Sequence, residues 1–175
     1  LAAAGGLSGR GQFIMSGPLM NAAVLETVAQ PLVVRQVDRP AARDDELLVK
    51  VGATAALPHQ KLVFSGMGPF VLPELPAQVG WDAVGEVVEI GTGVSGFATG
   101  DRVFVLPIVC CGNCDACRRG APLLCDRYML LGGFGLSAQS RELQARHRSG
   151  GFAEFMAVPA VNAVRLPDLL DDADA

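Results

Sequence analysis

Charged and aromatic side chains are scarce in this sequence. Of its 175 residues, 18% are charged and 6% are aromatic, and the 14 basic and 18 acidic residues are mixed along the chain. Without a basic patch, a nucleic-acid-binding surface is not expected. No apolar run reaches the roughly 20 residues that cross a bilayer, so no membrane partner is expected either. Half of the residues are hydrophobic, which excludes a disordered chain and indicates a folded core.

The first 18 residues also lack the features of a secretory signal, which are a charged start and a compact apolar stretch. They are small and glycine-rich, and we expect residues 1–18 to be a disordered or added tail before a single domain over residues 19–175. Without an export signal, we expect a cytoplasmic protein whose thiols stay reduced. Clustered cysteines then favour a metal site over disulfides.

Short stretches of alternating apolar and polar residues, punctuated by Gly and Pro, follow from Met20 onward. This periodicity predicts half-buried strands. The predicted strands cover residues 20–26, 32–38, 46–54, 83–90, 101–107, 152–159 and 161–167. One helical turn is predicted within 58–66 and a helix within 136–150. Since no strand–helix–strand units recur, the fold class is mainly β, a sandwich or a partly open barrel.

All five cysteines lie within residues 110–125, CCGNCDACRRGAPLLC. Four of them have the spacing C-x2-C-x2-C-x7-C, namely Cys111, Cys114, Cys117 and Cys125. Four thiolates on a tetrahedron suit zinc and leave no open position, so this zinc would be structural and not catalytic. An iron–sulfur cluster, which usually has x3 before its last cysteine, and disulfides remain as alternatives. Cys110 is interpreted as a small hydrophobic residue at a strand end.

Five further stretches occur in a characteristic order: 46-ELLVKVGA-53, 80-GWDAVGEVVEIGTGV-94, 100-GDRVFVLP-107, 150-GGFAEFMAVPA-160 and 164-VRLPD-168. With the cysteine cluster, they resemble the N-terminal GroES-like domain of the medium-chain alcohol dehydrogenase superfamily. The resemblance implies a GroES-like, partly open barrel of short strands with a zinc-binding loop and one or two short helices. It also implies a C-terminal Rossmann domain that binds NAD(P), a small-molecule substrate, and the four cysteines as structural zinc ligands.

The sequence departs from this family at the catalytic metal. The family's first ligand, a Cys followed by His, is replaced in 58-PHQK-61 by Pro58, which has no side-chain donor atom. Its second ligand, the His of G-H-E, is replaced in 80-GWD-82 by Trp81, whose indole N–H cannot bind a metal. Asp82 alone does not make a zinc site. We therefore expect one structural zinc per chain and no catalytic zinc.

The resemblance leaves His59 as the candidate catalytic residue, able to protonate a substrate oxygen. The alternative is a partly exposed loop histidine without a chemical role. Gln60, Trp81 and Asp82 are the candidate residues of the substrate cleft, although Trp81 is equally well interpreted as a core aromatic residue. His147, which lies between two arginines, is predicted to be solvated.

Residues 91–96, GTGVSG, match the nucleotide-binding pattern G-x-G-x-x-G, but a predicted strand follows where that motif needs a helix. We therefore predict a turn there, and NAD(P) would bind only if a cofactor domain is supplied elsewhere. Two interpretations follow. The chain is the substrate-side half of an oxidoreductase, inactive alone and working without catalytic zinc, or it is a stand-alone, non-catalytic binding module. The cleft face would contact the cofactor domain in the first case and a second copy of the chain in the other.

Overall fold

The computed structural model describes residues 18–175. The predicted tail, residues 1–18, lies outside the described residues except for Pro18, whose carbonyl accepts a hydrogen bond from the N–H of Arg39 at 2.9 Å. The strands are β1 (Leu19–Leu25), β2 (Val33–Asp38), β3 (Glu46–Ala53), β4 (Ala77–Gln78), β5 (Ala83–Ile90), β6 (Arg102–Val105), β7 (Ile108–Val109), β8 (Met129–Leu130), β9 (Phe134–Gly135), β10 (Phe155–Pro159) and β11 (Ala163–Arg165). The α-helices are α1 (Gln60–Phe64), α2 (Asp115–Arg118) and α3 (Arg141–Arg146), and single 3-10 turns cover Pro122–Leu124, Ala138–Ser140 and Ala160–Asn162.

The largest sheet has five antiparallel strands in the order β10-β3-β5-β6-β11. Its inner face carries the main core, because alternate residues of each strand point to the same side. Leu47, Val87, Val103 and Met156 are fully buried there. The burial of these branched and sulfur-containing side chains supplies the main stabilisation of the barrel.

Two smaller sheets of three strands complete the fold, with the orders β2-β1-β4 and β7-β8-β9. A single bridge between Ala22 and Ala153 ties β1 to the segment that leads into β10. The sheets therefore wrap around one another without closing fully, and the predicted mainly β, partly open barrel is confirmed.

All seven predicted strands are present, with bounds that differ by a few residues. The strands that the sequence did not predict, β4, β7, β8 and β9, have two residues each. A two-residue strand is too short to show an alternating pattern. β4 pairs with the end of β1, whereas β7, β8 and β9 pair with one another.

The helix predicted within 136–150 is present but short, since a 3-10 turn leads into only six residues of α3. The helix ends because the chain turns inward at His147, where φ is −110° and ψ is 81°. His147 is 5% exposed, so the prediction that it is solvated is wrong. Its Nδ1 lies 3.1 Å from Oε1 of the buried Glu46, and this hydrogen bond draws the ring into the protein.

Residues 91–96 connect β5 to β6 as a glycine-rich turn, as predicted. The N–H of Gly91 donates to the carbonyl of Glu46 and the N–H of Gly93 to that of Asp44, both at 2.8 Å. A Cβ on Gly91 would lie 1.9 Å from the carbonyl oxygen of Arg43, so only glycine permits this close approach. These glycines therefore shape the connection between β5 and β6.

Within residues 18–175, no helix has the length and apolar character needed to cross a membrane.

Candidate metal centre

The cysteine lobe, residues 110–125, is a loop that leaves the barrel after β7 and is built from tight turns. Cys114 precedes α2, and Cys125 follows the 3-10 turn of Pro122–Leu124. Gly112 has φ of 73°, a left-handed conformation that glycine adopts without strain. This turn directs the N–H of Gly112 toward the sulfur of Cys117. The small residues between the cysteines thus decide where the sulfurs point.

The four predicted sulfur ligands converge on one point. The Sγ atoms of Cys111, Cys114, Cys117 and Cys125 all lie within 4.8 Å of one another. The sulfur of Cys111 is 4.0 Å from that of Cys117 and 3.5 Å from that of Cys125. Zinc–sulfur bonds of about 2.3 Å in a tetrahedron separate the sulfurs by roughly 3.8 Å. The residues present therefore fit a zinc ion.

Hydrogen bonding and burial act differently on the sulfurs of Cys111 and Cys117. Burial raises the pKa of Cys111, but hydrogen bonds from the N–H groups of Asn113 and Cys114 outweigh it and bring the pKa down to about 7. Burial and the neighbouring sulfur of Cys114 raise the pKa of Cys117 to about 12. Four thiolates at this spacing repel one another, and a bound cation is what allows all of them to ionise together.

Cys110 stands apart from the four, as the sequence predicts. It follows β7, is half-buried, and its thiol donates to the carbonyl of Pro122 at 3.2 Å. Burial, followed by the charges of the other cysteines, raises its pKa to about 11. A thiol that keeps its proton and already has an acceptor is a poor metal ligand.

The position where the sequence departs from the family's catalytic metal ligands lies at the start of α1. His59 is the N-cap residue of that helix and is exposed, and its ring centroid lies 5.1 Å from the ring of Trp81. Trp81 is 6% exposed and packs edge-on against Phe134, with centroids 6.5 Å apart. Pro58 precedes the helix without offering a donor. The structure thus brings these positions together as an aromatic cluster and not as a set of metal ligands.

Two buried N–H donors in this region have no hydrogen-bond partner among the described residues. Gln60 is 2% exposed, and its Oε1 accepts the N–H of Leu57 at 2.9 Å, which leaves its Nε2 unpaired. The indole Nε1 of Trp81 is also buried and unpaired. Buried donors without an acceptor are uncommon in folded proteins and need an explanation. Gln60 also lines a cavity of about 680 Å³, whose other walls include Leu57, Pro58, Phe64 and Phe152.

Asp82 does not face that cavity. One of its carboxylate oxygens accepts the N–H of Ala55 at 3.1 Å, and its carbonyl accepts the hydroxyl of Thr54 at 2.8 Å. It lines a different cavity of about 450 Å³ together with Phe104 and the C-terminal residues Asp172 and Ala175. Asp82 therefore fixes the chain that leads to α1, and it lines a different cavity from Gln60.

Residues 43–168 match the family described as the alcohol dehydrogenase GroES-like domain. The chain belongs to this family. An alcohol dehydrogenase of Geobacillus stearothermophilus is 33% identical over 87% of the chain, which covers 41% of that protein. An L-threonine 3-dehydrogenase of Vibrio parahaemolyticus is 33% identical over 82% of the chain and 38% of its own length. The GroES-like domain described here thus spans about two fifths of these curated relatives.

Solved structures with this domain agree in fold. A protein of Sinorhizobium meliloti described as a zinc-binding dehydrogenase, solved with bound NADP, has a TM-score of 0.73 and 33% identity over 89% of this chain and 40% of its own. A cobalt- and zinc-bound alcohol dehydrogenase of Pyrobaculum aerophilum has a TM-score of 0.71 and 27% identity over 89% of this chain and 43% of its own. The chain is therefore a GroES-like domain of an oxidoreductase family.

The sequence did not foresee the unpaired donors or the Glu46–His147 pair. The only available signal for Gln60 was its position three residues after Leu57, where its side chain turns back to accept the N–H of that residue. For His147 no local signal existed, because its partner is 101 residues away.

Proposed function

We propose that this chain is the substrate-side domain of an NAD(P)-dependent oxidoreductase, with one structural zinc held by Cys111, Cys114, Cys117 and Cys125. The observation that carries the proposal is the convergence of these four sulfurs within 4.8 Å in a domain of the alcohol dehydrogenase GroES-like family. A zinc with four protein sulfurs has no position for water or substrate, so it stabilises the lobe and takes no part in the reaction.

The same chain lacks the means to hold a catalytic zinc at α1. Pro58 has no donor atom, and the indole of Trp81 has no lone pair for a metal. The carboxylate of Asp82 already accepts a hydrogen bond from the N–H of Ala55. A zinc site usually needs three protein ligands, and His59 by itself does not supply them. We therefore infer chemistry that does not need a metal to polarise the substrate.

N–H donors would take over part of that role. The unpaired Nε2 of Gln60, a residue that lines the cavity beside α1, is suited to an oxygen acceptor, and the exposed His59 is suited to supply a proton. The apolar wall of the adjoining cavity suits a planar, largely apolar substrate. Quinones and activated double bonds meet these conditions, because hydride transfer to them needs less electrophilic help than reduction of a simple carbonyl.

NAD(P) would come from a Rossmann domain outside this sequence. The relatives are more than twice as long as the chain, and the Sinorhizobium meliloti protein was solved with NADP. When bound, the nicotinamide supplies the hydride. The cleft face would then be the surface that receives the cofactor domain.

Metal analysis and a turnover assay test the proposal together. We expect one zinc per chain, and no oxidation of NADH or NADPH in the presence of a quinone by the 175-residue chain alone. Addition of a relative's Rossmann domain as a fusion is expected to restore turnover with the quinone. Two zinc ions per chain, or turnover by the isolated chain, would contradict it.

A stand-alone binding module is the second candidate, and the cleft face supports it. Leu57, Leu62 and Met67, all around α1, are 36%, 51% and 56% exposed. Exposed apolar side chains of this size tend to be covered by another protein surface. In this case the chain would self-associate through α1. Light scattering distinguishes the two, since Leu62→Glu would convert a dimer to a monomer and leave a monomeric domain unchanged.

A further inference from the structure

Two sulfurs of the cysteine lobe lie close enough to form a bond with each other. The Sγ atoms of Cys111 and Cys125 are 3.5 Å apart, whereas the distance from Cys111 to Cys117 is 4.0 Å. Cys111 stands at the start of the lobe, and Cys125 is its last residue. A bond between these two sulfurs would therefore close the lobe at its two ends, which is the same connection that a bound metal ion makes.

The backbone around this pair permits the sulfurs to approach. A disulfide bond is about 2 Å long, so the two sulfurs would have to move together by about 1.5 Å. Neither Cys111 nor Cys125 lies within a helix or a strand, and the movement would not break a regular element. Cys117, in contrast, is part of α2, which restrains its side chain. The geometry therefore favours a bond between Cys111 and Cys125 over one between Cys111 and Cys117.

The two cysteines also differ in their access to solvent. Cys111 is partly exposed, whereas Cys125 is buried, with 4% of its surface exposed. The oxidation of a cysteine depends on how easily the oxidant reaches its sulfur. A small oxidant from solvent would therefore react at Cys111, and the buried sulfur of Cys125 would stay reduced beside it. This is the arrangement of an attacked cysteine with a second cysteine that completes the disulfide.

We propose that the lobe is a redox-sensitive switch, in which hydrogen peroxide joins Cys111 to Cys125 and the lobe releases its zinc. The thiolate of Cys111 attacks one oxygen of the peroxide, the O–O bond breaks, and a sulfenic acid and hydroxide form. The thiolate of Cys125 then attacks that sulfur, so the S–S bond forms and a second hydroxide leaves. Two electrons pass from the sulfurs to the peroxide, and two protons from solvent convert the hydroxides to water.

The switch rests on the structural zinc of the proposed function, and it is reversible. Once Cys111 and Cys125 are joined, only the sulfurs of Cys114 and Cys117 remain, and two sulfurs are too few for a tight zinc site. The disulfide keeps the ends of the lobe together after the metal leaves. A dithiol reductant breaks the bond by exchange and restores all four ligands. Cys110 takes no part, since its thiol donates to the carbonyl of Pro122 at 3.2 Å.

The test is treatment of the zinc-loaded chain with one equivalent of hydrogen peroxide. A chromogenic chelator measures the released zinc, and mass spectrometry locates the disulfide after alkylation of the free thiols. Trypsin cleaves after arginine, which places Cys125 alone on residues 120–127 and the other four cysteines on residues 103–118. We expect one cross-link between these peptides, assigned to Cys111 by fragmentation, and one zinc released per disulfide. Dithiothreitol should remove the cross-link and allow zinc to bind again.

Cys110→Ser is the matched control, and it should form the same disulfide and release the same amount of zinc as the parent chain. Cross-linking through Cys110, a disulfide confined to residues 103–118, or zinc release that dithiothreitol does not reverse would overturn the proposal.

The same oxidation of metal-free chain separates this proposal from the zinc site itself. If the purified chain contains no zinc, the structural zinc of the proposed function fails. The bond between Cys111 and Cys125 is then still expected in the metal-free chain, and its absence there would overturn the pairing. Amide hydrogen exchange across residues 110–125 should be several-fold slower in the oxidised, metal-free chain than in the reduced, metal-free chain, because only the first has its ends joined. Equal exchange would show that the disulfide does not replace the metal.

Discussion

The cysteine lobe and the aromatic cluster at α1 are the two places where the resemblance to the family implies metal ions, yet they are built in opposite ways. In the lobe, four sulfurs meet on a loop that contributes little hydrophobic core. At α1, Trp81 packs with Phe64 and Phe134, and the position before the helix is a proline. One region is suited to an ion, and the other is stabilised by apolar burial.

The difference shows that the fold and the metal chemistry are separable. The barrel requires both loops to keep their conformation, but the side chains that hold each loop in place need not be metal ligands. At α1, the ring contact between His59 and Trp81 and the hydrogen bond from the N–H of Leu57 to Oε1 of Gln60 keep the loop in place without a metal. In the lobe, no comparable apolar cluster exists among the described residues, so loss of the ligands would have a larger local effect.

The largest effect is expected from Cys114→Ser. The variant should bind no zinc where the parent chain binds one, because a three-sulfur site loses much of its affinity. Amide hydrogen exchange should rise sharply across residues 110–125 and little in β3 and β5, which have their own buried core. Cys110→Ser is the control and should keep its zinc. Unfolding of the whole barrel in Cys114→Ser would show that the two regions are not independent.

Trp81→Ala should have the next largest effect, and it acts on the other region. Removal of a buried indole from the cluster with Phe64 and Phe134 is expected to cost about 3–5 kcal/mol of unfolding free energy. Urea unfolding measures the loss, and the zinc content should remain one per chain. Trp81→Phe should lose less, because it keeps most of the packing and removes an unpaired N–H. Loss of zinc in Trp81→Ala would contradict the independence of the cysteine lobe from the aromatic cluster at α1.

Acid should affect the two regions through different groups. The pKa of Glu46 in the folded state lies below its ordinary value of 4.5, so its stabilising contribution is complete above that pH and is lost as the pH falls through the folded pKa. In the lobe, protonation of the sulfurs releases the metal. In Glu46→Gln, the stability of the barrel, measured by circular dichroism, should depend less steeply on pH in the acid range. The pH at which zinc is released should stay unchanged. A shift of both transitions would indicate coupling.

The smallest effect is expected from Pro58→Cys. The variant restores one thiol at α1, but a single thiol next to His59 and Trp81 is not enough for a second zinc. Zinc content should stay at one per chain. Stability should fall by about 0.4–1 kcal/mol, because replacement of proline adds freedom to the unfolded chain. Two zinc ions per chain would mean that other donors are available near α1.

Prediction from the sequence succeeded where the information is local. The spacing of four cysteines over fifteen positions was sufficient to select the four sulfurs that converge and to set Cys110 apart. Alternation identified the seven longer strands. Sequence proximity does not decide which cavity a residue faces, since Asp82 lines a different cavity from Gln60.

The sequence by itself determined the barrel, the four converging sulfurs and the lack of metal-binding atoms at Pro58 and Trp81, since each depends on residue type and short spacing. Only the tertiary structure decided that His147 is buried against Glu46 and that the N–H groups of Gln60 and Trp81 lack partners among the described residues. The physical reason is that these features arise between residues far apart in the chain. Burial and hydrogen bonding at such positions depend on which surfaces the folded strands bring together.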